Sequence, residues 1–318
     1  MVELWNNPSG ESLMMSAASA RTHVLIAAVL FGTTGTAHAL GPRVEPVALG
    51  TARIVIGALL LAALAAAAGA PRVSATKRAV LLAGACVAIY QATFFAALAR
   101  TGVAVGTVVA IGSAPAFAGL FARAFAGEPL RRRWVAATAL ACAGVCLLVL
   151  GGGAGGQVSG LGVGLALVSG AGYAGYAVAT KRMLVAGGAP EAVMATVFGA
   201  GALLLLPVFL VVPASGLLQP GGAALALYLG AIPTALAYVL FARGLRQIGA
   251  GETATLTLAE PVTAAALGVI ALGERPSLVA AAGATLVLSG LALLALRTAQ
   301  PLRAPNPTAQ AKAVEAHA

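Results

Sequence analysis

The sequence predicts an all-α polytopic membrane protein of ten transmembrane helices, arranged as two inverted five-helix repeats. Three observations predict it: a composition too apolar for a water-facing surface, ten apolar runs of membrane-crossing length, and an internal self-similarity at a spacing of 146 residues. Of the 318 residues 60% are hydrophobic and 9% are charged, and the mean hydropathy is +0.97. A soluble domain carries about 25% charged residues. Here the acids are nine Glu and no Asp. A water-facing surface of normal size cannot be built from this, so most of the exterior must face lipid.

About 20 apolar residues span the hydrocarbon core, which sets the length expected of each run. The first, 22–41, follows Arg21 and contains Ala37-His38-Ala39, which looks like a signal-peptide cleavage site. Its apolar stretch is longer than a signal peptide's, so it reads as an uncleaved helix behind a cytoplasmic extension, 1–21. Met1, Met14 and Met15 are all candidate starts. The second run, 46–68, opens on Pro46 and carries Arg53. Runs 79–99, 103–125 and 134–151 complete a first repeat over 22–151. A Gly-rich outer linker at 152–159 leads to runs 160–180, 191–212, 222–242, 250–272 and 277–296, a second repeat over 160–297. The Pro/Ala/Gln-rich 298–318 reads as a disordered cytoplasmic tail.

Charge placement orients the chain. With the N-terminus in the cytoplasm, inner segments hold 15 of the 19 Lys and Arg, outer loops hold Arg43, Arg100 and Arg275, and Arg53 lies in the second run. An inner excess of this kind places both termini in the cytoplasm, as expected of a multi-pass bacterial inner-membrane protein. The formal charge of +10 is therefore topological. Short basic runs between apolar stretches, such as Arg131-Arg132-Arg133, are not the basic face of a nucleic-acid binder.

Shifting the sequence by 146 residues lays Phe95-Ala96 on Phe241-Ala242, Arg100 on Arg246, Thr107 on Thr253 and Pro115 on Pro261. Gly127-Glu128 falls on Gly273-Glu274, and Gly144 on Gly290. Five helices is an odd number, so equivalent helices run in opposite directions through the bilayer. Inverted repeats of this kind occur in secondary transporters, with the site near the midplane between the halves.

On these residues the chain resembles the EamA family of the drug/metabolite transporter superfamily. The resemblance rests on Phe31-Gly32, Pro46 with Arg53, Pro115, Gly127-Glu128-Pro129-Leu130, Glu260-Pro261, Gly273-Glu274, Gly283 and Gly290. It implies ten helices, two inverted repeats, cytoplasmic termini, a central cavity and export of amino acids, related metabolites or drugs. Val197-Phe198 stands where the first half has Arg53, so whatever Arg53 does is done once.

The candidate substrate-binding residues are Arg53, Tyr90, Gln91, Tyr173, Tyr176, Tyr238, Thr257 and Glu260; the proton-coupling candidates are Glu260 and His38. A carboxylate in mid-membrane costs about 2.5–3.5 kcal/mol on insertion scales, so Glu260 faces a cavity or a partner. Thr253, Thr257 and Glu260 share a helix face, and Pro261 frees a backbone carbonyl one turn earlier. Arg53 either forks onto a substrate carboxylate or ties its helix to carbonyls or to Glu45. His38 either carries a proton or is simply hydrogen-bonded. Ser169, Tyr173, Tyr176 and Thr180 line one face of the sixth run, and Thr234 and Tyr238 lie one turn apart in the eighth. Such faces suit stacking against amphipathic or cationic solutes, or else interhelical packing. Tyr228 reads as interfacial. Glu128 and Glu274 read as helix N-terminal charges before the helices they precede.

Gly151, Gly153 and Gly156, like Gly170, Gly172 and Gly175, match GxGxxG but follow no strand, and there is no Walker A. Cys86, Cys142 and Cys146 fall in apolar runs without ligand spacing. The expectation is a secondary transporter of small metabolites working by alternating access, with no cofactor, no metal, no nucleic acid and no enzymatic activity. Its partners are a small-molecule substrate and the bilayer. Drug or organic-cation efflux is the alternative within the fold. An integral-membrane lipid-modifying enzyme is the alternative of another class, disfavoured by the lack of an acidic cluster for Mg²⁺.

Overall fold

The computed structural model describes residues 16–151, 159–273, 275 and 277–295. Most of the expected N-terminal extension, the linker at 152–158, the tail beyond 295 and Glu274 lie outside the described residues. α1 (Ala17–Leu40) begins five residues before the expected boundary because Ser16 caps it, accepting from the Ser19 N–H at 3.1 Å. α2 (Pro46–Ala67) opens on a proline in its first turn, and the Glu45 carboxylate accepts from the Ala48 N–H at 2.6 Å.

The two runs expected at 79–99 and 103–125 both cross, at 77–98 and 109–126, and are joined with no extended linker as α3 (Lys77–Ala126), 50 residues. Drawn straight it would reach about 75 Å, more than twice the hydrocarbon thickness. Its neighbour α5 (Gly160–Val185) reports how it is folded. Gly162 of α5 lies against Arg100 and Thr101, while farther along Gly172 meets Cys86 and Tyr90, and Gly170 meets Ala110 and Ser113. Residues near 88 and near 112 thus share one depth. α3 doubles back between 98 and 109 into two limbs that flank α5, each of crossing length.

α4 (Arg132–Leu150) and α11 (Leu278–Ala295) pack antiparallel. Arg133 Nε donates to the Leu293 carbonyl at 2.6 Å at one end, and Ser277 Oγ to the Gly151 carbonyl at 2.6 Å at the other. Between them, Gly144 faces the backbone of Gly283 and Val287, while Gly290 faces Ala137 and Ala141. A Cβ at Gly144 would lie 2.6 Å from the Val287 nitrogen, so only glycine permits this approach.

α6 (Pro190–Leu205) is shorter than the expected run because its backbone tightens into a 3₁₀ turn over Leu206–Leu210, at Pro207. α7 (Pro220–Gly230), a wide π-helical turn (Ala231–Leu236) and α8 (Ala237–Gln247) make one crossing. In the wide turn Thr234 Oγ1 donates to the Leu229 carbonyl, five residues back, at 2.7 Å. α9 (Ala250–Leu256) and α10 (Ala259–Leu272) share the next crossing, interrupted at Thr257-Leu258 just ahead of Pro261. The carbonyl that Pro261 was expected to leave open is not free: the Glu260 N–H donates to Thr257 O at 2.9 Å. α3 and α10 each end on a left-handed glycine, Gly127 and Gly273, whose N–H closes on Ala122 O and Gly268 O.

Seven described stretches are long and apolar enough to cross a membrane: 17–40, 46–67, 77–98, 109–126, 160–185, 220–247 and 250–272. Pro190–Leu205 and Leu278–Leu294 are apolar but shorter, and α4 has 19 residues. The chain is an all-α polytopic membrane protein. Its core forms where α1 packs on α8 and α10 while α5 packs along both limbs of α3.

Candidate functional site

Most of the candidate residues converge on one region where α1, α2, α3, α5, α6, α8 and the α9–α10 break meet. Gly32 sets the approach of α1, since a Cβ there would lie 2.8 Å from the Glu260 carbonyl. From α2, the half-buried Arg53 extends Nη2 to the Tyr90 hydroxyl at 3.3 Å and to Gln91 Oε1 at 3.1 Å. Gln91 is buried and donates in turn to the Gly50 carbonyl at 3.4 Å. The expected alternative partner of Arg53, Glu45, is instead committed to the start of its own helix. Arg53 Nε is enclosed without an acceptor, so the guanidinium is held in place but not saturated.

Opposite, Tyr173 of α5 places its hydroxyl 3.4 Å from Thr257 Oγ1, which also donates to the Ala254 carbonyl at 2.7 Å. Ser169, one turn earlier, donates to the Tyr90 carbonyl at 3.1 Å and ties α5 to α3. Glu260 is half-buried in the first turn of α10, and its carboxylate makes neither ion pair nor hydrogen bond among the described residues. It lies within electrostatic range of Arg53 and Tyr173.

Aromatic rings fill the ground between. Tyr176 is 0% exposed, and Tyr90, Tyr173, Phe198, Tyr238 and Phe241 surround it with centroids 5.1 to 6.5 Å away. Phe31 closes against Tyr238 at 4.9 Å. The hydroxyls of Tyr176 and Thr180 are buried without a partner. Sequence reasoning missed Phe31, Phe198 and Phe241 as members of this cluster. All three serve in the sequence reading only as repeat or family markers; the spacing of Tyr238 and Phe241, one helical turn, is the available signal. His38 is not brought in: it is exposed in the last turn of α1 and makes no hydrogen bond among the described residues. Tyr228 is also apart, half-exposed, with its hydroxyl donating to Thr33 Oγ1 at 2.9 Å. The arrangement presents a fixed cation, an unpaired carboxylate and aromatic walls, which can receive a solute bearing charges at two ends.

A cavity of about 1120 Å³ opens at the end of the bundle where α1 begins. Two ion pairs line it, Arg21 Nε to Glu252 Oε1 at 2.8 Å and Lys181 Nζ to Glu128 Oε1 at 3.4 Å. Glu128 does serve a helix N-terminus, but not that of the helix it precedes: its Oε2 accepts from the Ala250 N–H at 3.1 Å, at the start of α9. Lys181 also donates to the Ile248 carbonyl, so one acid–base pair closes both ends of the α8–α9 joint.

Residues 20–150 and 160–296 each match the EamA-like transporter family. The chain is 42% identical over 278 residues to the uncharacterized transporter YwfM of Bacillus subtilis (strain 168), spanning 85% of this chain and 92% of that protein. It is 31% identical over 190 residues to the probable terminal-alkyne amino-acid exporter of Streptantibioticus cattleyicolor, covering 59% of this chain and 63% of that protein. A crystal structure of another protein superposes with a TM-score of 0.77 at 23% identity, covering 87% of this chain and 96% of that one, a likeness of fold. Matched in both halves, and with its membrane helices converging on a polar and aromatic centre, the chain belongs to the EamA-like transporter family of the drug/metabolite transporter superfamily.

Proposed function

We propose that the protein is a secondary transporter that exports amino acids or related amphipathic metabolites across a bacterial inner membrane by alternating access. The observation that carries this reading is the presence of Arg53 and the uncommitted Glu260 in one region with aromatic rings drawn from both halves. Arg53 takes the substrate carboxylate and Glu260 its ammonium group, while the tyrosines hold the apolar part. Glu260 is also the group that exchanges a proton for the substrate, in preference to His38, which is exposed in the last turn of α1. A named relative is a probable exporter of an amino acid, which agrees with the zwitterion reading.

The ten-helix inverted repeat belongs to the same proposal, with repeats at 22–151 and 160–297 and both termini in the cytoplasm. Gly144 meets residues 283 and 287, and Gly290 meets 137 and 141, the same contacts exchanged under the 146-residue shift. Reciprocal contacts are the mark of a two-fold relation, and these two helices run antiparallel. The matching caps at Gly127 and Gly273 agree. A repeat related in this way has two exchangeable shapes, one open to each side.

The test is flux in proteoliposomes with a panel of amino acids and organic cations, with and without an imposed pH gradient. Saturable flux of amino acids, driven by the gradient and made indifferent to it by Glu260→Gln, is the expected result. Flux of organic cations alone would replace the substrate class with the drug-efflux alternative. Gradient-independent flux in the unaltered protein would remove the coupling role from Glu260.

A further inference from the structure

The cavity at the α1 end of the bundle has a charge imbalance that the two ion pairs do not absorb. Arg21, Arg131, Arg133, Lys181 and Arg182 line it against two carboxylates, and both carboxylates are already engaged, by Arg21 and by Lys181 with the Ala250 N–H. Arg131 and Arg182 are exposed, and their side chains make no ion pair or hydrogen bond among the described residues. Arg133 is half-buried, and only its Nε is placed, on the Leu293 carbonyl. Three guanidinium groups therefore face one cavity with donors to spare. Beside them the wall is apolar: Phe125, Leu130 and Val185 line the same cavity and are substantially exposed. A soluble protein would bury such residues; at the edge of a membrane bundle they meet acyl chains.

From this juxtaposition we propose that the cavity is a binding site for a phosphate-bearing group, separate from the Arg53–Glu260 centre and carried on an anionic amphiphile such as an acidic phospholipid. Arg131, Arg133 and Arg182 hold the phosphate through charge-assisted hydrogen bonds, and the apolar wall receives the proximal chain. Basic pockets between membrane helices bind acidic headgroups on the same physical ground. The geometry adds a consequence of position: the bound phosphate would sit beside the Arg21–Glu252 pair and on the α8–α9 joint, within reach of the elements that must move for the site to open.

Trp134 lines this cavity, and the chain has one other tryptophan, Trp5, so the full-length protein carrying Trp5→Phe reports the site through Trp134 emission alone. In neutral detergent it is titrated with short-chain phosphatidylglycerol, short-chain phosphatidylcholine and inorganic phosphate. The expected result is a saturable change with phosphatidylglycerol that weakens as salt rises, and half-saturation displaced by about tenfold or more in Arg131→Gln/Arg182→Gln. Neither side chain makes a hydrogen bond or ion pair among the described residues, so unaltered Trp134 emission and melting in the ligand-free variant verify its fold. Inorganic phosphate producing the same change at similar concentration supports the phosphate site and assigns it to soluble anions in place of lipid. Equal response to phosphatidylcholine, or binding untouched in the double variant, overturns the proposal, since apolar contact alone would then account for it.

Discussion

Arg53 and Glu260 are both charges inside the bundle, yet one is supported and the other is left open. Arg53 is braced by Tyr90 and Gln91. Lysine cannot reach both and still offer a planar fork, so Arg53→Lys is expected to raise the half-saturating concentration of a carboxylate substrate by about 10- to 100-fold, measured as initial flux in proteoliposomes. Glu260 has no such brace, and Glu260→Gln is therefore expected to leave the melting temperature in detergent within about 2 °C of the unaltered protein while abolishing gradient-driven flux. Tyr176 separates structure from function in the opposite sense. Its hydroxyl is buried without a partner, so Tyr176→Phe removes an unsatisfied group and is expected to stabilise the fold by about 1 kcal/mol in denaturant unfolding. A matching loss of flux would show that the hydroxyl meets substrate. These residues were legible in the sequence because charge and hydroxyl groups stand out in apolar runs. Their partners were not: Arg53 with Gln91 joins positions 38 residues apart, which no local spacing reveals.

Among the elements, regular α2 and α5 share the site with three irregular crossings. The α9–α10 break, the π turn before α8 and the doubling of α3 all deviate from the straight twenty-residue rod that hydropathy reads. Apolar runs locate a helix because lipid demands it, but whether two runs are separate helices or limbs of one depends on bend geometry that composition does not record. The break at Pro261 was legible, since proline cannot donate; the capture of the freed carbonyl by the Glu260 N–H was not. Glycine shows the same divide. Gly144 and Gly164 are indistinguishable by type, yet a Cβ at Gly144 collides with the α11 backbone and one at Gly164 meets nothing within 4 Å. Gly144→Ala is expected to cost about 1–3 kcal/mol, whereas Gly164→Ala is expected to stabilise by about 0.5–1 kcal/mol, compared by thermal unfolding in detergent.

For the whole molecule, the sequence carried the duplication plainly and the manner of its joining hardly at all. Arg21 with Glu252, and Glu128 with Lys181, each link residue ranges that match the family separately. If these pairs restrain the helices around the cavity they line, Arg21→Glu is expected to speed thiol labelling of a cysteine placed at Ala122, on the cavity wall, by about fivefold, the population shift for 1 kcal/mol. The exchange Arg21→Glu with Glu252→Arg is expected to restore the original rate, and a single variant with unchanged labelling would discount the restraint. The cap that Glu128 places on α9 carries a further consequence, in the order of manufacture. The acid and the helix start it serves are 122 residues apart, so at ribosomal speeds the carboxylate is made about 6–24 s before the amide it will meet. Until then the finished first half holds an acidic group with no assigned place, and afterwards the late-arriving α9 finds its terminus already prepared. The two halves share a common plan, but they are assembled as host and guest.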